Sequence, residues 1–349
     1  MIIEFSSWHD ECLYTICSLM KSEGTNVTLA LNEDLAKKVG DSLNDVSDKI
    51  IYYPFKKGIK GFISTLKLYH DIIKEGYTHL YFNSAQGSVQ WKFFILPIPK
   101  RIKTIGTLHN IIKLKNSIGQ KIITRRMDGY VLLNDILTKK YKEFCNIPTI
   151  SIYPIIYPEL PLKNIHNKKV GEIWIVIPGA VSIKRRDYFS LFKPGTRYAP
   201  NIKFIILGNK NKEDGNKIFK HVNDCGMTDN FIFFDKFIPN DVFYSYIQEC
   251  DYIMPLIHPH IPIYNKYVTE KISGTYNLAI AYKKIMLCPI EMNNFEDFTD
   301  TSLFYPADMM AEFINDLPNK TISHNDYYKL DKWNKNNQQN RLKSFLSHI

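Results

Sequence analysis

Ser273, Gly274 and Thr275 stand together at the head of an apolar, helix-forming segment. The first amides of a helix are unpaired and sit at the positive end of its dipole, so small residues there suit an anion such as a diphosphate. For so short a triplet, a simple serine cap is the alternative reading. Lys184 and Arg185 follow a short apolar run that ends in Gly179. Positive charge in such a place can neutralise a departing anionic group, although a solvated basic turn has the same sequence. Two histidines complete the set. His9 follows the run at residues 2–6, with Asp10 beside it, and His109 ends the run that begins at Lys103, with Asn110 next. Imidazole is the side chain best suited to proton transfer near neutrality. A loop position for His9 and a structural one for His109 are the plain alternatives.

These residues need elements to present them. Short apolar runs recur at residues 2–6, 26–31, 49–55, 78–85, from 103, 126–135 and 149–156, with helical patterns between them, for example over 63–74. After a proline-containing stretch at 157–169, the pattern restarts at 172–179, 202–209, 230–237, 252–257, 285–289 and 302–306. Strands alternating with helices in this way predict doubly wound parallel sheets, which bind ligands beyond the carboxyl ends of their strands. The boundaries expected are an N-terminal domain over 1–157, a second over 158–325, and a helical tail over 326–349 that packs back on the first. The first strand-to-helix loop lacks the GxGxxG of a dinucleotide fingerprint, which argues against a nicotinamide enzyme.

Length and charge agree with this plan. The chain has 349 residues, enough for two α/β domains, and its 45% hydrophobic content with 21 Phe and 22 Tyr supplies large cores. A formal charge of +10 favours anionic partners. Nucleic acid is the weakest of these, because basic and acidic residues are interspersed and no zinc-finger or RNP-like spacing occurs. Six cysteines are dispersed without CxxC spacing, so free thiols are expected rather than disulfides or zinc. No leader-like start and no apolar run of about 18 residues is seen, so a cytoplasmic protein is expected. The segment Gln90–Lys103 mixes aromatic and basic residues. It reads first as a core helix and turn, and second as a contact with an anionic membrane on its inner face.

The strand IVIPG followed by Lys184 and Arg185, the run FIILGN, the stretch KFIPNDVFYSYIQECDYIMPL, and the helix ending AIAYKKIMLCP occur in an order that resembles GT-B fold glycosyltransferases, notably the sugar-nucleotide-dependent enzymes of bacterial polysaccharide assembly. The resemblance covers nearly the whole chain and is strongest from Trp174 to Pro289. It implies two Rossmann-like domains facing across a cleft, an N-terminal acceptor domain and a C-terminal donor domain. The co-substrate it implies is a nucleotide-diphosphate sugar, with no other cofactor and no metal. Laid on the family's ExxxxxxxE motif, Glu270 takes the first position and Leu278 the second, where a carboxylate would hold the ribose; Asn277 is the neighbouring candidate for that contact. By the same resemblance Glu270 and His109 lie beside the donor sugar, Asn110 near them, and Gly179, Lys184, Arg185, Ser273, Gly274 and Thr275 around the diphosphate. His9 or Asp10 would be the base if the reaction inverts.

The expected function is transfer of a sugar to a hydroxyl of a saccharide or lipid-linked saccharide. Three other readings share the architecture: a sugar-nucleotide epimerase, a non-catalytic nucleotide-sugar-binding subunit, and an exported solute-binding protein. Product formed without acceptor would mark the epimerase, binding without turnover the subunit, and an export signal the solute-binding protein.

Overall fold

The computed structural model describes every residue except 23, 57 and 164–166. Residues 164–166 belong to the expected interdomain stretch, so that part of the expectation lies outside the described residues. The chain divides into two compact units. Unit one comprises Met1–Pro158, Thr269–Ile272 and Asp331–Ile349; unit two comprises Glu159–Val268 and Ser273–Leu330. The second domain is therefore interrupted: Glu270, expected on it, groups with the first unit.

Unit one holds seven strands, β1 (Ile2–Glu4), β2 (Thr28–Asn32), β3 (Lys49–Tyr53), β4 (His79–Phe82), β5 (Lys103–Thr107), β6 (Gly129–Leu132) and β7 (Thr149–Ser151). They form one parallel sheet in the order β3-β2-β1-β4-β5-β6-β7. Successive residues of a strand point to opposite faces, and both faces here are apolar. Ile3, Phe82 and Leu132 enter one core with Phe93, Phe94 and Leu68. Ile2, Tyr81 and Val131 enter the other, under Leu13, Ile16 and Leu19 of the helix Asp10–Ser22. Leu342 and Phe345 of the last helix, Lys335–His348, belong to that second core.

Unit two holds β8 (Ile173–Pro178), β9 (Ile202–Asn209), β10 (Phe231–Phe234), β11 (Tyr252–Ile253), β12 (Ile285–Pro289) and β13 (Ser302–Tyr305). They are parallel in the order β10-β9-β8-β11-β12-β13. Each sheet reverses its winding once, between β1 and β4 in unit one and between β8 and β11 in unit two. Crevices beyond the carboxyl ends of strands at such switch points are where open α/β sheets hold ligands.

The Gln90–Lys103 segment sends Phe93, Phe94 and Ile102 into the core. Its helix, Ser88–Phe93, buries Phe93 and Phe94, leaving Ile95 exposed at the turn. Its aromatic pair is thus unavailable to a membrane. All six cysteines are free. Among the described residues no helix is long and apolar enough to cross a membrane.

Candidate active site

The loop after β1 carries His9 and the loop after β4 carries Asn83 and Ser84, so the two lie on either side of the first switch point. Glu4, at the end of β1, is fully buried and organises both loops. Its carboxylate accepts from the Ser6 amide and hydroxyl at 2.8 Å, from Ser84 Oγ at 2.7 Å and from Asn83 Nδ2 at 2.8 Å. Burial nevertheless holds its pKa above the usual carboxylate range. Asn83 Nδ2 also donates to the His9 carbonyl at 2.9 Å, pinning a residue whose φ of 69° lies in the left-handed region.

His9 and His109 stack, with ring centroids 3.8 Å apart and planes 18° from parallel. His109 is buried, and its Nε2–H donates to the Asn83 carbonyl at 2.8 Å. Burial, with the neighbouring charge of His9, lowers its pKa to about 3, so its ring is neutral near pH 7. His9 differs. Burial opposes its charged form, but the hydrogen bond and charge of Glu11, with the charges of Glu4 and Asp10, outweigh that and raise its pKa above 6.5. Glu11 Oε1 lies 3.4 Å from His9 Nδ1. Burial alone would raise the Glu11 pKa, yet its hydrogen bond to His9 and the charges of both histidines bring it down to about 2. The carboxylate that partners His9 is therefore Glu11. Asp10, the alternative candidate base from the sequence, instead accepts from Lys38 Nζ at 2.5 Å.

Asn110 extends the same edge. Its Oδ1 accepts from the Ile112 amide at 3.0 Å and its own amide donates to Gln86 Oε1 at 3.1 Å, so its side-chain oxygen serves as a turn cap. The Ile111 amide donates to the Glu270 carbonyl at 2.9 Å, an interaction internal to unit one.

In unit two the end of β8 and the start of the helix Gly274–Ala281 are joined by one side chain. Arg186 is buried, and its Nη2 donates to the Pro178 carbonyl and, at 2.8 Å, to Thr275 Oγ1. Gly179 has φ 102°, and a Cβ there would come 3.4 Å from Nη2 of this guanidinium. A Cβ on Gly208 would collide with the Gly179 carbonyl, so Gly208 serves close backbone approach, whereas Gly179 is called for by its positive φ. Lys184 and Arg185, the two cations expected at the anion, are exposed on the turn, while their neighbour Arg186 braces it from within.

Ser273 is the N-cap of the helix, its Oγ accepting from the Thr275 amide at 3.4 Å, and the space around Gly274 is open to 4 Å. Asn277 is 1% exposed, and its Oδ1 has no hydrogen-bond partner.

A further cluster near β8 and β11 was not singled out by sequence. His258 is fully buried, its Nδ1 2.7 Å from Asp187 Oδ2 and its Nε2 2.8 Å from the Tyr305 hydroxyl; exposed His260 reaches the same Asp187 oxygen at 3.0 Å. The three acid and imidazole groups offer ligand atoms within 4.8 Å of one another. Those on Asp187 and His258 are already matched donor to acceptor, so the hydrogen bonds make the cluster a polar brace. Its only sequence signal is the spacing of His258 and His260 about a proline.

No family model matches the chain, and no curated protein matches it. Solved structures do, along essentially their whole length. Anabaena Alr3699/HepE in complex with UDP and glucose has TM-score 0.68 at 14% identity, over 100% of both chains. A Listeria monocytogenes protein assigned as a UDP-N-acetylglucosamine 2-epimerase has TM-score 0.61 at 7% identity, over 99% of this chain and 95% of that one. The lipopolysaccharide outer core galactosyltransferase WaaB, in apo form, has TM-score 0.57 at 11% identity, over 98% of this chain and 100% of that one. Identities this low speak to fold alone. With its two parallel-sheet α/β units, the chain has the GT-B glycosyltransferase-like fold.

Proposed function

We propose that the protein is a cytoplasmic glycosyltransferase that moves a sugar from a nucleotide-diphosphate sugar to a hydroxyl of a saccharide or lipid-linked saccharide in cell-surface polysaccharide assembly. The observation that carries this reading is the His9–Glu11 pair, stacked on neutral His109 at the switch point of the first sheet. A half-exposed imidazole whose Nδ1 side is held by a carboxylate leaves Nε2 to accept a proton. The hydrogen bond and charge of Glu11 raise its pKa, which strengthens it as a base.

In the proposed step His9 Nε2 takes the proton of the acceptor hydroxyl as its oxygen attacks the anomeric carbon. The bond from that carbon to the diphosphate oxygen breaks, and its electron pair leaves on the nucleoside diphosphate. Attack opposite the leaving group inverts the anomeric configuration. Lys184, Arg185 and the amides at Ser273–Thr275 receive the developing negative charge, with Gly179 giving the phosphates room beside the backbone. Glu270 and Asn110 contact the donor sugar. Asn277, whose amide oxygen no protein group satisfies, is the proposed contact for the nucleotide. The step needs neither a metal nor a cofactor besides the sugar nucleotide. The UDP and UDP-glucose bound by the HepE structures support a nucleotide-sugar donor, and UDP-sugars are the first to try.

Calorimetric titration with nucleoside diphosphates and sugar nucleotides, followed by product analysis with and without acceptor, tests the reading. Binding of a sugar nucleotide, with acceptor-dependent glycoside formation, is the expected outcome. An isomerised sugar nucleotide formed without acceptor would instead make the protein an epimerase, and binding with no product across a panel of acceptors would make it a binding subunit.

A further inference from the structure

The helix Ile59–Glu75 is turned against its own composition. Its inward side at the first turns is small and polar: Gly61, Ser64 and Thr65 are buried. A Cβ on Gly61 would collide with the Lys56 carbonyl, and Ser64 Oγ reaches the Pro54 and Lys60 carbonyls at 3.2 and 3.1 Å. Its outward side is large and apolar. Ile59 is 80% exposed, Ile63 59%, and Phe62 and Leu66 40% each. Positions 59, 62, 63 and 66 follow the i, i+3, i+4, i+7 spacing of one helical stripe. Exposed Lys56, Lys60 and Lys67 border it, and no aspartate or glutamate occurs between Asp48 and Asp71.

We infer that this face docks the protein on an anionic lipid surface, with the four apolar side chains entering the headgroup boundary and the lysines pairing with lipid phosphates. An apolar stripe rimmed by cations alone is the pattern of an interfacial helix, since lysine stems lie along the apolar surface while their ammonium groups reach the headgroups. A second copy of the chain fits the face less well, because an isologous contact would set the same lysines against each other. The docking requires no turnover, so it stands or falls separately from the transferase reading; if both hold, a lipid-linked acceptor is the consistent substrate.

Co-sedimentation of the full chain with phosphatidylcholine vesicles, with and without phosphatidylglycerol, tests the inference. The protein is expected to pellet with the anionic vesicles and to be released by salt. Ile59→Ser with Ile63→Ser, and separately Lys60→Gln with Lys67→Gln, should each lower partitioning roughly tenfold or more. All four positions are exposed, so unchanged melting temperatures would confirm that the variants are folded. Absence of binding to anionic vesicles, or equal binding by folded variants, would overturn the inference. So would a wild-type dimer in sedimentation velocity that Ile59→Ser with Ile63→Ser dissociates, because a second copy would then cover the face.

Discussion

The two stacked histidines have opposite electrostatics, and each gives its own prediction. If His9 is the base, activity requires its neutral form. The acid limb of kcat/KM should therefore have an apparent pKa above 6.5, because Glu11 holds the imidazole above that value. Glu11→Gln should move the limb to lower pH, and His9→Ala should cut kcat about 100-fold or more with donor binding retained. His109 acts on stability instead. Its pKa falls from 6.5 to about 3 on folding, so between those values the unfolded chain binds a proton that the folded chain refuses. Stability should accordingly be full above pH 6.5 and decline as pH falls, with a slope approaching ~1.4 kcal/mol per pH unit from this one residue. Melting temperatures followed from pH 7 to pH 4 check this; His109→Gln should flatten the profile. His9, His109, Glu270 and the Ser273–Thr275 turn were legible as candidates because strand ends and helix starts can be read from apolar periodicity. Glu11 was not, since an acid in the first turn of a helix is ordinary chemistry whatever lies opposite it.

At the scale of elements, Arg186 shows where sequence reading stops. Lys184, Arg185 and Arg186 are indistinguishable as a basic run, and only the packing of β8 against the helix Gly274–Ala281 decides which one is buried. Arg186→Met should cost roughly 2–4 kcal/mol by leaving the Pro178 carbonyl and Thr275 hydroxyl without their donor. Lys184→Ala with Arg185→Ala should change stability by less than about 0.5 kcal/mol while weakening nucleoside diphosphate binding. Chemical denaturation and calorimetry separate the two effects. Strand ends were less legible than strand existence. The apolar run at 252–257 predicted a longer strand, yet β11 pairs only over Tyr252–Ile253. Pro255 has no amide to donate, and Leu256 takes φ 52°, turning the chain toward the Asp187 amide, which its carbonyl accepts at 2.9 Å.

For the whole molecule, alternation of apolar runs was enough to read two parallel-sheet units, because strands covered on both faces are continuous in hydrophobicity. What it missed is the short excursion at Thr269–Ile272, which leaves unit two for unit one. Asp331–Ile349 also groups with unit one, where a returning helical tail was expected over 326–349. Gln338, fully buried, ties that return: its Oε1 accepts from the Tyr153 amide at 3.0 Å and its Nε2 donates to the Lys332 carbonyl at 2.6 Å. Removing residues 331–349 would strip Leu342 and Phe345 from the second core of unit one and uncover the apolar side chains beneath them, so the truncated chain should melt earlier or aggregate.

In the proposed transferase the His9–Glu11 pair activates an acceptor while unit two holds the sugar nucleotide. The most direct measurement is acceptor-dependent release of nucleoside diphosphate by the wild type and by His9→Ala, each shown by calorimetry to bind the donor. Release by the wild type that falls about 100-fold in the variant at unchanged donor affinity is the predicted result. Undiminished release by His9→Ala, or none by a wild type saturated with donor and acceptor, would contradict it.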